Sequence, residues 1–131
     1  MAEIQVQSRS RVEILDITDQ VTQAVVESGV VRGLCHVFVP HTTAGITLNE
    51  VADPDVARDL AKAFASMVPA GGYQHREGNS DAHIKASLVG SSVWIPVEDG
   101  RPAMGSWQGV LFCEFDGPRV RRARITVWRL P

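Results

Sequence analysis

Cysteine is scarce in this 131-residue chain, with two in all, and each lies inside an apolar run rather than in a spaced framework. A disulfide scaffold is therefore excluded as the organising principle, and Cys35 and Cys113 read as free, buried thiols. A thiol nucleophile is not indicated either, because both cysteines sit in apolar strand patterns. Long hydrophobic runs are missing too. None approaches the roughly 20 residues of a membrane span, and the polar start Met1 to Gln7 lacks the pattern of a signal peptide. These absences point to a cytoplasmic protein with no membrane partner. Nor is there an excess of one charge: the net value is −2, which removes any general attraction to nucleic acid. No P-loop, GxGxxG, HExxH or zinc-finger spacing occurs, and no repeat or linker divides the chain.

What is present reads as one domain spanning residues 1–131. Glu3 to Gln7 and Arg11 to Asp16 alternate polar and apolar residues, as half-buried strands do, and Ser8-Arg-Ser10 between them predicts a hairpin turn. Thr18 is placed to cap a helix whose apolar face holds Val21, Ala24 and Val25 and which Gly29 ends. Val30 to Pro40 predicts a central strand, and Thr42 to Leu48 a shorter one. Asp53-Pro54 is a strong helix start. Val56, Leu60, Ala63, Phe64 and Met67 follow at helical spacing and predict a face packed on the core. Asp81 to Val89 reads as a short helix capped by Ser80 or Asp81. Ser92 to Val97, Gly109 to Phe115 and Arg121 to Arg129 alternate like antiparallel sheet. Some seven strands with two or three helices among them imply an α+β fold, largely antiparallel.

Three of the four histidines fall in two polar stretches, His41-Thr-Thr-Ala-Gly45 and His75 to His83. Histidine serves as metal ligand or general acid/base near neutral pH, so the clustering marks a candidate site. His41 emerges from a buried strand, where a lone histidine is more often structural than functional. Thr42 and Thr43 beside it can bind an anion or orient the ring, and Glu50, next to Asn49, is either a surface acid or a partner for a histidine. The second stretch is stronger. His75, Glu77, Asn79, Asp81 and His83 alternate, so in an extended segment all five line one wall of a cleft. If Asp81 opens a helix instead, His83 sits in its first turn, where free amides favour an anion. His41, His75 and His83 with a carboxylate suit a divalent metal, zinc or magnesium, with an open position. The same residues suit phosphate binding or proton transfer.

Two further segments carry chemistry. Trp107-Gln108, flanked by glycines, can stack on a planar ring and hydrogen-bond its edge, or simply be core. Arg119, Arg121, Arg122 and Arg124 form a basic run whose alternation puts 119 and 121 on one face. A solvated sheet face is the default reading, and phosphate capture by Arg119 or Arg121 the sharper one.

His41-Thr-Thr-Ala-Gly-Ile46, Asn49-Glu50, Glu77 to His83, Gly105-Ser-Trp-Gln108 and Glu114 to Arg119 resemble, in order and spacing, the motifs of the YjbQ-like family, also described as secondary thiamine-phosphate synthases. Ser106 stands where threonine is more usual, a conservative departure. The resemblance implies a sandwich-like α+β fold, a homotrimer, and a site near a subunit interface that binds metal or anions. It further implies thiamine-phosphate synthesis, joining a pyrimidine diphosphate to a thiazole phosphate with loss of pyrophosphate. His41, His75, Glu77, Asp81 and His83 would then be catalytic, with Thr42, Thr43, Asn49, Glu50, Asn79, Trp107, Gln108 and Arg119 binding the small phosphorylated substrate. The residues alone leave two rivals: a metal-dependent hydrolase of a small phosphorylated compound, and a non-catalytic metal- or ligand-binding module.

Overall fold

Alternating apolar residues need a second apolar surface to cover them, and here two antiparallel sheets supply it for each other. The computed structural model describes residues 1–131. In chain order the elements are β1 (Ala2–Gln7), β2 (Glu13–Asp16), α1 (Thr18–Ser28), β3 (Gly33–Phe38), β4 (Ala44–Glu50), α2 (Pro54–Met67), α3 (Ser80–Val89), β5 (Ser92–Glu98), β6 (Arg101–Pro102), β7 (Gln108–Glu114) and β8 (Val120–Arg129). The larger sheet runs β1-β8-β3-β5-β6 and the smaller β2-β7-β4. Every pairing is antiparallel. The fold is α+β, as the alternation and the resemblance both implied. Cys35 and Val37 of β3, Ile95 of β5 and Ile125 of β8 meet Ile46 of β4 and Phe112 of β7 in the core, with Val21 and Val25 of α1 against them.

The expected hairpin between the first two strands does not form. β1 pairs with β8 and β2 with β7, so Ser8 to Ser10 belong to a crossing between sheets. Ser8 is buried there. Its hydroxyl donates to Glu114 at 2.7 Å and its amide to the Arg119 carbonyl at 3.0 Å, which ties this stretch to the β7–β8 turn. Thr18 is the first residue of α1 rather than its cap, because Asp16 accepts its amide at 2.9 Å and frees its Oγ1 to accept from Val110. Asp53 does cap α2, accepting from the Asp55 amide at 2.9 Å.

α2 departs from expectation in its packing. None of its residues is fully buried. Leu60 and Phe64 are half-covered, while Ala63 and Met67 are exposed. The helix leans on the short strand β2, which is too small to cover its apolar face. Phe64 meets Phe115 edge-on, with ring centroids 5.7 Å apart.

Two features place the site. A Cβ on Gly45 would lie 2.7 Å from the Gly90 carbonyl, so glycine lets the end of α3 dock directly on β4. The Ile46 amide then donates to that carbonyl at 3.0 Å. α3 is thereby held beside the β3–β4 connection that carries His41. No helix is long and apolar enough to cross a membrane. The outward face of the larger sheet carries Trp94 and Trp128, 54% and 46% exposed, with His36 packed against both.

Candidate functional site

One end of the smaller sheet opens into a cleft of about 510 Å³ with no hydrophobic residue in its lining. Four pieces of chain build it. The β3–β4 connection contributes Pro40, His41, Thr42 and Thr43, and the loop before α3 contributes His75, Glu77 and Asn79. The first turn of α3 adds His83; the β7–β8 turn and the start of β8 add Asp116, Arg119 and Arg121.

The cleft floor rests on a buried ion pair. Arg121, 3% exposed, donates from Nε to both oxygens of Glu114 at 2.9 and 3.1 Å, and from Nη2 to Thr43 Oγ1 at 2.7 Å. Glu114 is fully buried and also accepts from Ser8 and from the Asp116 amide. Burial alone would raise the Glu114 pKa. The bonds from Arg121, Ser8 and Asp116 outweigh that and hold it below the ordinary carboxylate value. Arg121 Nη1 takes no part in these bonds, and its donors remain for the cleft that Arg121 lines. Arg119 is fixed differently: its guanidinium donates to the Asp116 carbonyl at 2.9 Å and to the Asp116 carboxylate at 3.2 Å.

His41 is held through its ring. The Arg122 amide on β8 donates to His41 Nε2 at 3.0 Å. Its pKa is lowered, first by desolvation, then by the Arg121 charge and more weakly by Arg119, with Glu114 and the backbone bond at Arg122 opposing. His75 and His83 stand perpendicular, ring centroids 5.4 Å apart, and Glu77 reaches within 3.9 Å of His75 Nε2. Asn79 precedes α3 as its cap residue, in place of the expected Ser80 or Asp81. It donates to Asp116 at 2.9 Å, while its Oδ1 is buried without a partner.

The cleft thus gathers His41, His75, Glu77, Asn79, His83, Thr42, Thr43 and Arg119 from the sequence candidates. Asp81 is not among them. It is fully buried beneath the cleft, paired two-pronged with Arg11 at 3.0 and 3.1 Å and with Lys85 at 3.3 Å. The hydrogen bonds from Arg11, the dominant cause, and those from Lys85 keep its pKa below the ordinary value. The alternation from His75 breaks at Ser80, where helix begins: residue 83 lies four positions beyond Asn79 and shares its side, whereas residue 81 turns about 200° away. Asp81 therefore does not line the cleft and is held in ion pairs beside it.

Asn49, Glu50, Trp107 and Gln108 also lie elsewhere. Glu50 pairs with Gln108 at the other end of the β4–β7 ladder, and Ala44 pairs with Glu114 at the cleft end. Six residues of strand separate the two ends, roughly 20 Å. There Trp107 is 65% exposed on a turn closed by the Gly105 amide donating to Gln108 Oε1. Within one chain it cannot stack on a ligand in the cleft.

The three histidines share the cleft but do not converge as a ligand set. No group of three His, Cys, Asp or Glu side chains is placed to hold a metal, and the Nε2 lone pair of His41 is engaged by the Arg122 amide. Both cysteines are buried and free, their thiols pushed up to about 11 and about 12 by burial, which leaves them inert as nucleophiles.

Glu114 and Asp116 stood in the motif Glu114 to Arg119 without an assigned role. The available signal was a carboxylate closing an apolar strand, at Glu114, two residues before Asp116 and seven before an arginine. A buried charge in that position requires a partner. Arg122 and Arg124 lie on the outer face near Glu3, as the alternation required.

Two antiparallel sheets with a histidine–arginine cleft at one end define a class of small α+β proteins with a polar cleft. The family model described as UPF0047 protein YjbQ-like matches residues 2–129, and the chain belongs to that family. It is 48% identical over 124 residues to the UPF0047 protein MJ1081 of Methanocaldococcus jannaschii, covering 94% of this chain and 90% of that protein. It is 46% identical to the UPF0047 protein YugU of Bacillus subtilis, covering 93% and 94%. Among solved structures, a yjbq/upf0047 family protein of Clostridium acetobutylicum superposes with a TM-score of 0.95 at 50% identity, covering 98% and 100%. A protein of Sulfolobus solfataricus, described as of unknown function, superposes at 0.94 with 32% identity, covering 98% of this chain and 96% of that one.

These relatives overturn the expected thiamine-phosphate synthase activity. They are described as UPF0047 proteins or as of unknown function, and none as a synthase of any kind. The geometry disagrees as well, since Trp107, the residue placed to stack on a pyrimidine ring, lies outside the cleft of its own chain.

Proposed function

We propose that the cleft is the active site of a small enzyme that anchors a phosphorylated compound by its phosphate and moves protons at it with histidine. The observation that carries this reading is Arg121. A nearly buried guanidinium, pinned by Glu114 and Thr43, faces a wholly polar cleft beside Arg119 and three histidines. Guanidinium groups bind phosphate oxygens strongly, and a fixed one needs no reorganisation when charge develops. His75 and His83 are the candidate proton carriers, with Glu77 beside His75. Zinc or magnesium would enter only with the phosphate, held by phosphate oxygens and a carboxylate such as Glu77 rather than by the two proton-carrying histidines.

The test begins with inorganic phosphate titrated into the native protein by calorimetry, with EDTA and then with each metal. Saturable binding is expected, and a metal that leaves affinity unchanged has no place at the site. A panel of phosphorylated small molecules is then followed by phosphorus NMR, and any turnover is repeated with His83→Ala and Arg119→Ala. Loss in both variants supports the reading. Turnover indifferent to both, or a native protein that binds neither phosphate nor any member of the panel, overturns it.

The proposed assembly is a homotrimer, working in the cytoplasm. Trp94 and Trp128, side by side with centroids 5.4 Å apart on an outward sheet face, form the kind of exposed apolar patch that marks an interface. Light scattering should give three times the chain mass, and Trp94→Glu with Trp128→Glu should give the monomer. A stable native monomer at micromolar concentration removes the proposal.

A further inference from the structure

Resting on the phosphate reading, the geometry points to a fixed-tautomer role for His41: its ring bears the proton on Nδ1 and presents that N–H to the ligand oxygen as a neutral donor. Three observations carry it. The first is the bond to β8. The Arg122 amide donates to Nε2 at 3.0 Å, so that nitrogen must be the acceptor, and a neutral imidazole with Nε2 unprotonated carries its hydrogen on Nδ1. Turning the ring over would set a C–H against the Arg122 N–H, which the bond forbids.

The second is the absence of any protein partner for the rest of the ring. Arg122 is the one hydrogen-bond partner of His41, and the residue lines the cleft that holds Arg119 and Arg121. The third is electrostatic. Arg121 and Arg119 on β8 and the turn before it face His41, with Glu114 on β7 behind Arg121 and His83 and His75 across the cleft. Protonating Nε2 would break the bond to β8 and put a third positive charge beside two guanidinium groups. A neutral imidazole donor avoids both costs and still supplies a hydrogen bond where charge gathers on a phosphate oxygen.

His41 is then neither the proton carrier nor a metal ligand through Nε2. The carriers are left to the other two histidines, which belong to a different segment and whose rings make no bond to backbone. Its place is set by the strand that follows the buried ion pair, so the Glu114–Arg121 couple and the His41 tautomer are fixed by neighbouring residues of β8.

Two substitutions separate this role from a merely structural one. The amide of asparagine overlays Nδ1 of histidine, and that of glutamine overlays Nε2. His41→Asn keeps a donor toward the ligand and loses the bond to β8; His41→Gln keeps an acceptor for the Arg122 amide and loses the donor. Inorganic phosphate is the probe. His41→Asn should bind within about threefold of the native protein, and His41→Gln should bind roughly tenfold more weakly, the loss of one hydrogen bond to a charged group. The reverse order means that His41 only braces β8 and overturns the inference. Nitrogen-15 NMR of labelled histidine supplies a second readout that needs no ligand, with Nδ1 protonated and Nε2 bare at neutral pH. Phosphate binding alongside an Nε2-protonated His41 sinks this inference alone. A native protein that never binds phosphate removes both it and the reading beneath it.

Discussion

The two ends of the β4–β7 ladder carry similar residue types and behave as opposites. At one end, Glu114 pairs with Ala44 and leads into a cleft whose charges are buried, paired and bonded to backbone. At the other, Glu50 pairs with Gln108, Asn49 and Trp107 are exposed, and the half-buried Glu50 carboxylate has no side-chain partner. A carboxylate closes a strand in both places. One has lost its water and must be answered by Arg121, Ser8 and the Asp116 amide; the other keeps its water and needs nothing. Chemistry gathers where charges are forced into fixed partnerships, and a ladder only 7 residues long per strand is enough to separate the two regimes.

The sharpest way to break this contrast is to remove one partner at each end. Glu114→Ala leaves the Arg121 guanidinium buried and unanswered and should cost about 3–5 kcal/mol, read as a lowered midpoint in urea. Glu50→Ala should shift stability by less than about 0.5 kcal/mol. Equal effects would show that the two ends are not distinct in kind.

Acid should act on the cleft end first. Glu114 and Asp81 have folded pKa values held below their ordinary 4.5 and 3.8, so each contributes stability that is present above those values and fades as pH falls through the folded ones. His41 adds to the same trend, because its lowered folded pKa makes the unfolded chain take up more protons below its ordinary 6.5. Thermal melts from pH 7 to pH 3 should therefore fall steadily, and Glu114→Gln should flatten the acid limb. An unchanged slope would contradict the assignment.

Smaller effects sharpen the contrast in binding. Arg119→Ala should weaken inorganic phosphate roughly tenfold while leaving the melting temperature nearly unmoved, since its own side chain is half exposed. Trp107→Ala should leave phosphate affinity within about twofold. If Trp107→Ala proves the more damaging, the far end of the ladder takes part in the site through a neighbouring copy.

Much of this was legible in the chain. The Asp53-Pro54 start, the Gly29 stop and the alternating last third are local signals, and they survive because caps and pleats act over a few residues. Of the candidate site, the stretches around His41 and His75 did meet, with Arg119 and Arg121 on the shared face that alternation gave them. Failures came where a local pattern was overruled at a distance. Ser8 to Ser10 read as a hairpin turn until Ser8 was bound to Glu114, more than a hundred residues away. Asp81 read as a cleft residue until helix began at Ser80 and turned it toward Arg11.

Composition and periodicity by themselves determined the α+β class, most elements, the inert cysteines, and the two polar stretches worth examining. Only the tertiary structure decided which carboxylates are buried and paired, that His41 lies against the Arg122 amide, and that Trp107 stands a ladder's length from the cleft. The physical reason is range. Periodicity and capping depend on neighbours within a turn or a strand. Desolvation, ion pairing and the choice of a histidine tautomer depend on which distant residue arrives within about 3 Å, and packing alone settles that.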